Sequence, residues 1–209
     1  WRQTYTSFRQ WTFLKSALLE LDEVLTNLGQ PIWSEFGQAE LILDQLHDQF
    51  KFDTIHSHQE TGPAWTFERD GRIREWCISK GVNWIEHRQH GISRGLKTRD
   101  KWASKWEQLM DRPSLPVPDK INGVGVPPKS LGDCLKQLHW SDVSEGLTQV
   151  GGTKTGYAML QSFLSERGEN YRVGMSSPIT AEHACSRLSP HLSVGTVSIR
   201  DAWQLSQYQ

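Results

Sequence analysis

The sequence predicts an α/β fold in which an incomplete parallel sheet is followed by a helical segment. Three observations predict it. Between residues 31 and 86, strand-like and helix-like apolar patterns alternate with short links. Pro113, Pro116, Pro118, Pro127 and Pro128 then break up residues 111–129. After Gly151 the apolar spacing is helical.

The elements follow in order. Phe8, Trp11, Leu14, Leu18, Leu21, Leu25 and Leu28 recur at three- and four-residue steps, which predicts an amphipathic helix over 7–28. Gly29 and Pro31 end it. The apolar run Pro31–Phe36 reads as a strand. A helix over 38–50 places Leu41, Ile42 and Leu46 on one face. Phe52–His56 is a second strand. Arg69–Lys80 is a helix with Ile73, Trp76 and Cys77 together, and Gly81 stops it. Val82–Glu86 is a third strand. Such alternation implies right-handed crossovers, with ligands at the carboxyl ends of the strands. Those ends carry HSHQETG from His56 and EHRQHGISR from Glu86. A helix over 96–110 holds Trp102 and Trp106. Thr153–Arg167 is a helix with Tyr157, Leu160, Phe163 and Leu164, and Gly195–Gln209 begins another. The resulting division is an α/β part at 1–95, a connector at 96–150 and a helical part at 151–209. No strand precedes residue 30 and the last helix is cut short, so the chain is expected to be a piece of a longer protein.

Composition bounds the function. Of 209 residues, 36% are hydrophobic and 22% charged, an ordinary globular balance. No run of about 18 apolar residues predicts a membrane span, and the opening WRQTYTSFRQ lacks a signal-peptide core. Cys77, Cys134 and Cys185 form no CxxC pair, which argues against a disulfide framework or zinc site and suits a reducing cytoplasm. Net charge is −1, unevenly spread: residues 1–68 hold 4 Lys+Arg against 10 Asp+Glu, and residues 69–129 hold 13 against 7. The basic middle is a candidate footprint for a polyanion.

Four constellations are candidates for chemistry. Gly151-Gly152-Thr153-Lys154-Thr155 fails as a phosphate loop, because the GxxxxGK[ST] spacing is absent. Gly123-Val124-Gly125 fails as a dinucleotide fingerprint, because it follows no strand. His56, His58, Glu60, His87 and His90 lie near two strand ends but match no metal-ligand spacing, so no metal is expected. Cys185-Ser186-Arg187-Leu188-Ser189-Pro190 offers hydroxyls, free amides and an arginine, a set that suits a phosphate or pyrophosphate.

That last run stands in an ordered series: GGTKTGYAMLQSFL, ERGENYR, CSRLSPHLSVG, SIRDAW. The series resembles the entrance to the flavin domain of photolyases and cryptochromes. HSHQETG, Phe67–Asp70 (FERD), WCISKG and NWIEHRQHGISR resemble the same family's antenna domain and its exit. The resemblance implies a partial Rossmann-like antenna sheet followed by the start of an all-α FAD-binding domain. It implies that Tyr171, Cys185, Ser186, Arg187, Leu188 and Ser189 contact the FAD phosphates, and that Glu60 faces an antenna chromophore of pterin, folate or deazaflavin type. Cys185 stands where threonine is common, and His191 where tyrosine is frequent. Met175 stands where many members carry an arginine associated with DNA. The activity implied is light-driven repair of cyclobutane pyrimidine dimers, a carbon–carbon lyase reaction, with damaged DNA as partner. The rival is a cryptochrome-type photoreceptor with a signalling partner and no repair. A cytoplasmic monomer is expected, inactive as this piece alone. No catalytic residue or electron relay is identified in it.

Overall fold

A computed structural model describes residues 6–137 and 149–208. They form two compact units: residues 34–109, and residues 6–33 together with 110–137 and 149–208.

In the 34–109 unit, α2 (Ala39–Phe50), β1 (Thr54–His58), α3 (Ala64–Lys80) and β2 (Asn83–His87) precede α4 (Trp102–Met110). The strands are parallel, with Thr54 opposite Asn83 and His58 opposite His87. Packing is supplemented by charge. On α2, Glu40 pairs with Arg72 of α3 at 2.9 Å, and Asp44 accepts from Lys80 and from Trp76 Nε1. Glu86 on β2 takes both Arg74 and Arg94. Glu40, Asp44 and Glu60 of the acidic start and Arg69, Arg72, Arg74, Lys80 and Arg94 of the basic middle are therefore engaged in internal ion pairs.

The other unit begins with α1 (Phe8–Leu28). Ser7 and Gln10 form a reciprocal capping box at its start, and Gly29 caps its end. The later elements are α5 (Leu131–Lys136), α6 (Thr153–Ser165), a 3-10 turn (Arg167–Asn170), α7 (Tyr171–Gly174), α8 (Pro178–Ala184), α9 (Ser189–Val194) and α10 (Ile199–Ser206). Trp11 of α1 packs with Leu131 and Leu135 of α5, flanked by Phe8, Leu14, Leu18 and Ile32. A second apolar cluster joins Leu160, Leu188 and Val197, flanked by Tyr157, Met159, Leu164, Leu192 and Ala202. Helix α1 thus packs with elements more than a hundred residues later in the chain.

Two glycines make one of those junctions possible. Gly151 lies so close to α1 that an added Cβ would sit 2.1 Å from the Phe13 carbonyl oxygen. Its N–H donates to Ser16 Oγ at 2.8 Å. Gly152, at φ 137°, turns the chain into α6. The first amides of α6, on Thr153 and Lys154, donate to Glu20 Oε1 at 2.7 and 3.3 Å. A carboxylate from α1 therefore caps α6, where a side chain of its own would ordinarily do so.

Several expectations are corrected. Pro31–Phe36 is irregular. The Ile32 N–H donates to Asp22 Oδ1 at 2.7 Å, and Gln30 Nε2 donates to the carbonyls of Pro31 and Gly125. Side chains and the connector satisfy this stretch, so it needs no ladder partner. The 69–80 helix starts earlier, at Ala64, and the 96–110 helix starts later, at Trp102. The helix expected from Gly195 starts at Ile199, capped by Ser198; Gly195 instead ends α9 in the left-handed conformation.

Candidate functional site

The segment Cys185–Ser189 leaves α8 extended and re-enters helix at Ser189, with Pro190 in the first turn of α9. Arg187 adopts a left-handed φ of 58°. Its side chain is held by Glu182, Nη1 to Oε1, at 2.8 Å. Leu188 is buried in the second apolar cluster and anchors the segment.

Three consecutive carbonyls of this segment are engaged. Those of Cys185 and Ser186 accept from Arg167, the latter at 3.4 Å, and that of Arg187 accepts from Gln149 Nε2 at 3.0 Å. The amides are different. The Leu188 N–H reaches only Ser186 Oγ, at 3.5 Å, and the N–H groups of Ser186, Arg187 and Ser189 have no partner among the described residues. The segment therefore presents donors on one side and has its acceptors tied on the other. Such an arrangement suits an anion with several oxygens.

Tyr171 lies at the start of α7, 38% exposed, with its hydroxyl unpaired among the described residues. Its ring meets Phe163 edge-on at 5.9 Å, and the same Phe163 ring lies under the Arg167 guanidinium, also at 5.9 Å. Tyr171 and the 185–189 segment thus share one supporting pair, Phe163 and Arg167. The contribution of Cys185 is its carbonyl, consistent with a position where the side chain is not decisive. Met175 follows α7 and is half exposed.

Two neighbours of the segment carry perturbed groups. His191, on α9, is fully buried, edge-on to Phe13 at 4.8 Å, with Nδ1 2.8 Å from Thr196 Oγ1. Burial holds its imidazole below the ordinary value, against weaker upward effects from the Gly152 backbone and Glu20. Tyr157 on α6 donates to Asp201 on α10, which also accepts from Ser114. Burial, then the Asp201 carboxylate, push the phenol up to about 12.

The strand ends of the other unit carry the second set of candidates. Glu60 Oε1 accepts from the amides of Thr61 and Gly62 at 2.8 and 2.6 Å, and Oε2 pairs with Arg69 at 3.3 Å. Partial burial pushes this carboxyl up, yet the Gly62 and Thr61 amides and the Arg69 guanidinium outweigh it and leave it below its usual value. His56 Nδ1 lies 2.9 Å from His87 Nε2, with the rings stacked. Among the described residues, no group of three or more His, Cys, Asp or Glu side chains is placed to hold a metal ion.

Arg167 is the functional residue that sequence reasoning missed. It sits in Glu-Arg-Gly, a context with neither periodicity nor motif spacing. Its neighbours in the resembling series were the only signal.

Comparison with known proteins places these features in context. A profile of the DNA photolyase family matches residues 1–101. The deoxyribodipyrimidine photo-lyase of Halobacterium salinarum is 24% identical over 211 residues, covering 93% of this chain and 43% of its own length. That of a Synechococcus strain is 24% identical over 210 residues, with 92% and 43% covered. The chain thus spans less than half the length of these relatives. The fold is shared with a class III photolyase from Agrobacterium tumefaciens (TM-score 0.72, 22% identity, 94% of this chain and 43% of that one). It is shared equally with a Synechocystis cryptochrome (TM-score 0.71, 19% identity, 97% and 45%). A third neighbour is a photolyase from Sulfolobus tokodaii holding two FAD molecules (TM-score 0.72, 24% identity, 100% and 46%). No helix among the described residues is long and apolar enough to cross a membrane. Family profile over residues 1–101, relatives aligned over more than nine-tenths of the sequence and shared fold all point to the photolyase/cryptochrome family.

Proposed function

We propose that this chain is part of a blue-light flavoprotein and that residues 185–189, with Tyr171, hold the pyrophosphate of FAD. The observation that carries the reading is the one-sided segment: amides on Ser186, Arg187 and Ser189 without a partner among the described residues, with the carbonyls of Cys185, Ser186 and Arg187 tied behind them. Amide donors suit phosphate oxygens, and the hydroxyls of Ser186, Ser189 and Tyr171 add to them. When bound, the reduced flavin supplies the excited-state electron. The chain's own task is binding and orientation: amides and hydroxyls fix the phosphates, and buried Leu188 keeps the segment from shifting.

The activity proposed is repair of cyclobutane pyrimidine dimers in DNA, with the lesion flipped out of the duplex. The family match over residues 1–101 and the photo-lyase relatives support it. The FAD-containing neighbour supports the cofactor. In this reading residues 1–95 are the antenna-type part, 96–150 the connector and 151–209 the entrance to the flavin domain. An antenna chromophore at Glu60 has weaker support, since a pterin-like ring would compete with Arg69 for Oε2. One observation favours the cryptochrome reading. Met175, half exposed after α7, stands where repair enzymes of the family often carry a DNA-associated arginine. The test is blue-light illumination of dimer-containing DNA with the protein that carries this chain. Loss of dimers supports repair. Unchanged dimers beside a photoreducible flavin favour the photoreceptor. An absorption spectrum without flavin bands sinks both.

A further inference from the structure

We propose that Arg167 is the positioning residue of the phosphate-binding segment. The proposal rests on reading residues 185–189 as the phosphate contact. Arg167 opens the 3-10 turn after α6, and its guanidinium reaches five acceptor atoms. Nε donates to Ser162 Oγ at 2.8 Å. Nη1 donates to the Cys185 carbonyl. Nη2 serves the Met159 carbonyl at 2.8 Å, Met159 Sδ at 3.1 Å and the Ser186 carbonyl at 3.4 Å. Two of these partners are the α6 residues Met159 and Ser162. The others belong to the segment leaving α8.

The geometry of the peptide bond gives this clamp its consequence. In a trans peptide, C=O and the following N–H lie in one plane and point in opposite directions. Holding the Cys185 carbonyl therefore aims the Ser186 amide away from Arg167, and holding the Ser186 carbonyl aims the Arg187 amide the same way. These are two of the three amides of the segment without a partner among the described residues. Gln149 does the same for the Leu188 amide by holding the Arg187 carbonyl. The positive charge lies on the carbonyl side of each peptide, where it strengthens the outward N–H donors through the bond. Lysine cannot substitute, because one ammonium lacks the planar fork that serves acceptors on two elements at once. Arg167 touches no phosphate in this scheme; it shapes the backbone that does.

The test compares Arg167→Lys with the parent by two readouts. The first is binding of FAD and of riboflavin, which lacks the pyrophosphate. The variant is expected to lose FAD affinity by about tenfold or more, the worth of a charge-assisted hydrogen bond, and to hold riboflavin within about twofold. The second needs no flavin. Amide order parameters of Ser186 and Arg187 are expected to fall from rigid values, about 0.85, towards about 0.6. Unchanged order parameters overturn the proposal, as does an equal loss for both flavins, which would make Arg167 a general support of the fold. A parent protein that does not distinguish FAD from riboflavin refutes the phosphate reading instead, and the order parameters then still decide what Arg167 holds. Should Arg167→Lys fail to fold, Ser162→Ala withdraws the Nε anchor alone. It is expected to loosen the same two amides and weaken FAD about threefold, and the absence of both effects overturns the proposal.

Discussion

Replacing Gly151 by alanine should destabilise the protein through a single methyl group. The added Cβ would stand 2.1 Å from the Phe13 carbonyl oxygen, 3.0 Å from its carbon and 3.0 Å from Ser16 Oγ. A carbon–oxygen contact ordinarily needs about 3.3 Å, so the chain must open by roughly 1.2 Å. Nothing flexible can yield, since Phe13 O is backbone in the middle of α1. Overpacking of this kind costs about 1–3 kcal/mol. The Gly151 N–H to Ser16 bond would be lost with it, for about 0.5–1.5 kcal/mol more. A total of about 2–4 kcal/mol follows, a large share of the 5–15 kcal/mol typical of a domain. Thermal unfolding should move down by about 5–15 °C, and the urea midpoint should fall with an unchanged slope. Gly71→Ala is the opposing control. Its Cβ would meet nothing within 4 Å, inside helix α3, so up to about 1 kcal/mol of stabilisation is expected. A Gly151→Ala variant within about 0.5 kcal/mol of the parent would refute the close-approach argument.

The remaining predictions concern titratable groups. Tyr157, pushed up to about 12, stays neutral in the folded state while the unfolded chain ionises near 10. Its contribution is complete below pH 10 and lost as pH rises towards 12, so an alkaline ultraviolet titration should show one late tyrosine, absent in Tyr157→Phe. Glu60 is lowered from 4.5, so its contribution is present above that value and lost as pH falls below it. Urea unfolding of Glu60→Gln below pH 5 should lose part of the acid dependence, and an identical pH profile would contradict the carboxylate's internal role. His191 is lowered from 6.5 by burial, so stability should decline as pH falls through that value, and His191→Phe should flatten the decline if the bigger ring is accommodated.

Local signals were legible where sequence chemistry acts locally. The three- and four-residue spacing in α1, bounded by Ser7 and Gly29, led to a helix found at Phe8–Leu28. The parallel pair and the proline-rich connector were legible for the same reason. The strand expected at Pro31–Phe36 was not there, because β-branched and aromatic content says nothing about whether a ladder partner exists; Asp22 and Gln30 satisfied that backbone instead. Helix α9 was hidden by Pro190, read as holding a turn although proline is also at home in a first helical turn. At the candidate site, the run 185–189 was legible only through the ordered series it stands in and the family that series resembles. Arg167 was not, since its role depends on carbonyls eighteen and nineteen residues away, which no spacing rule connects.

The seam between α1 and Gly151–Thr153 also bears on synthesis. Its hydrogen bonds join residues 133 to 135 positions apart. At about 5–20 residues per second, the ribosome needs roughly 7–27 s to deliver the partner of Ser16 after Ser16 itself. Through most of that interval α1 carries an apolar stripe from Phe8 to Leu28 without the helices that cover it, and the whole intervening 34–109 unit is made before they are. Helix α1 is thus secured only after residues 151–153 have been made. Conditions that slow translation, or prolong its exposure, should fall hardest on the segment that seats Glu20 against α6.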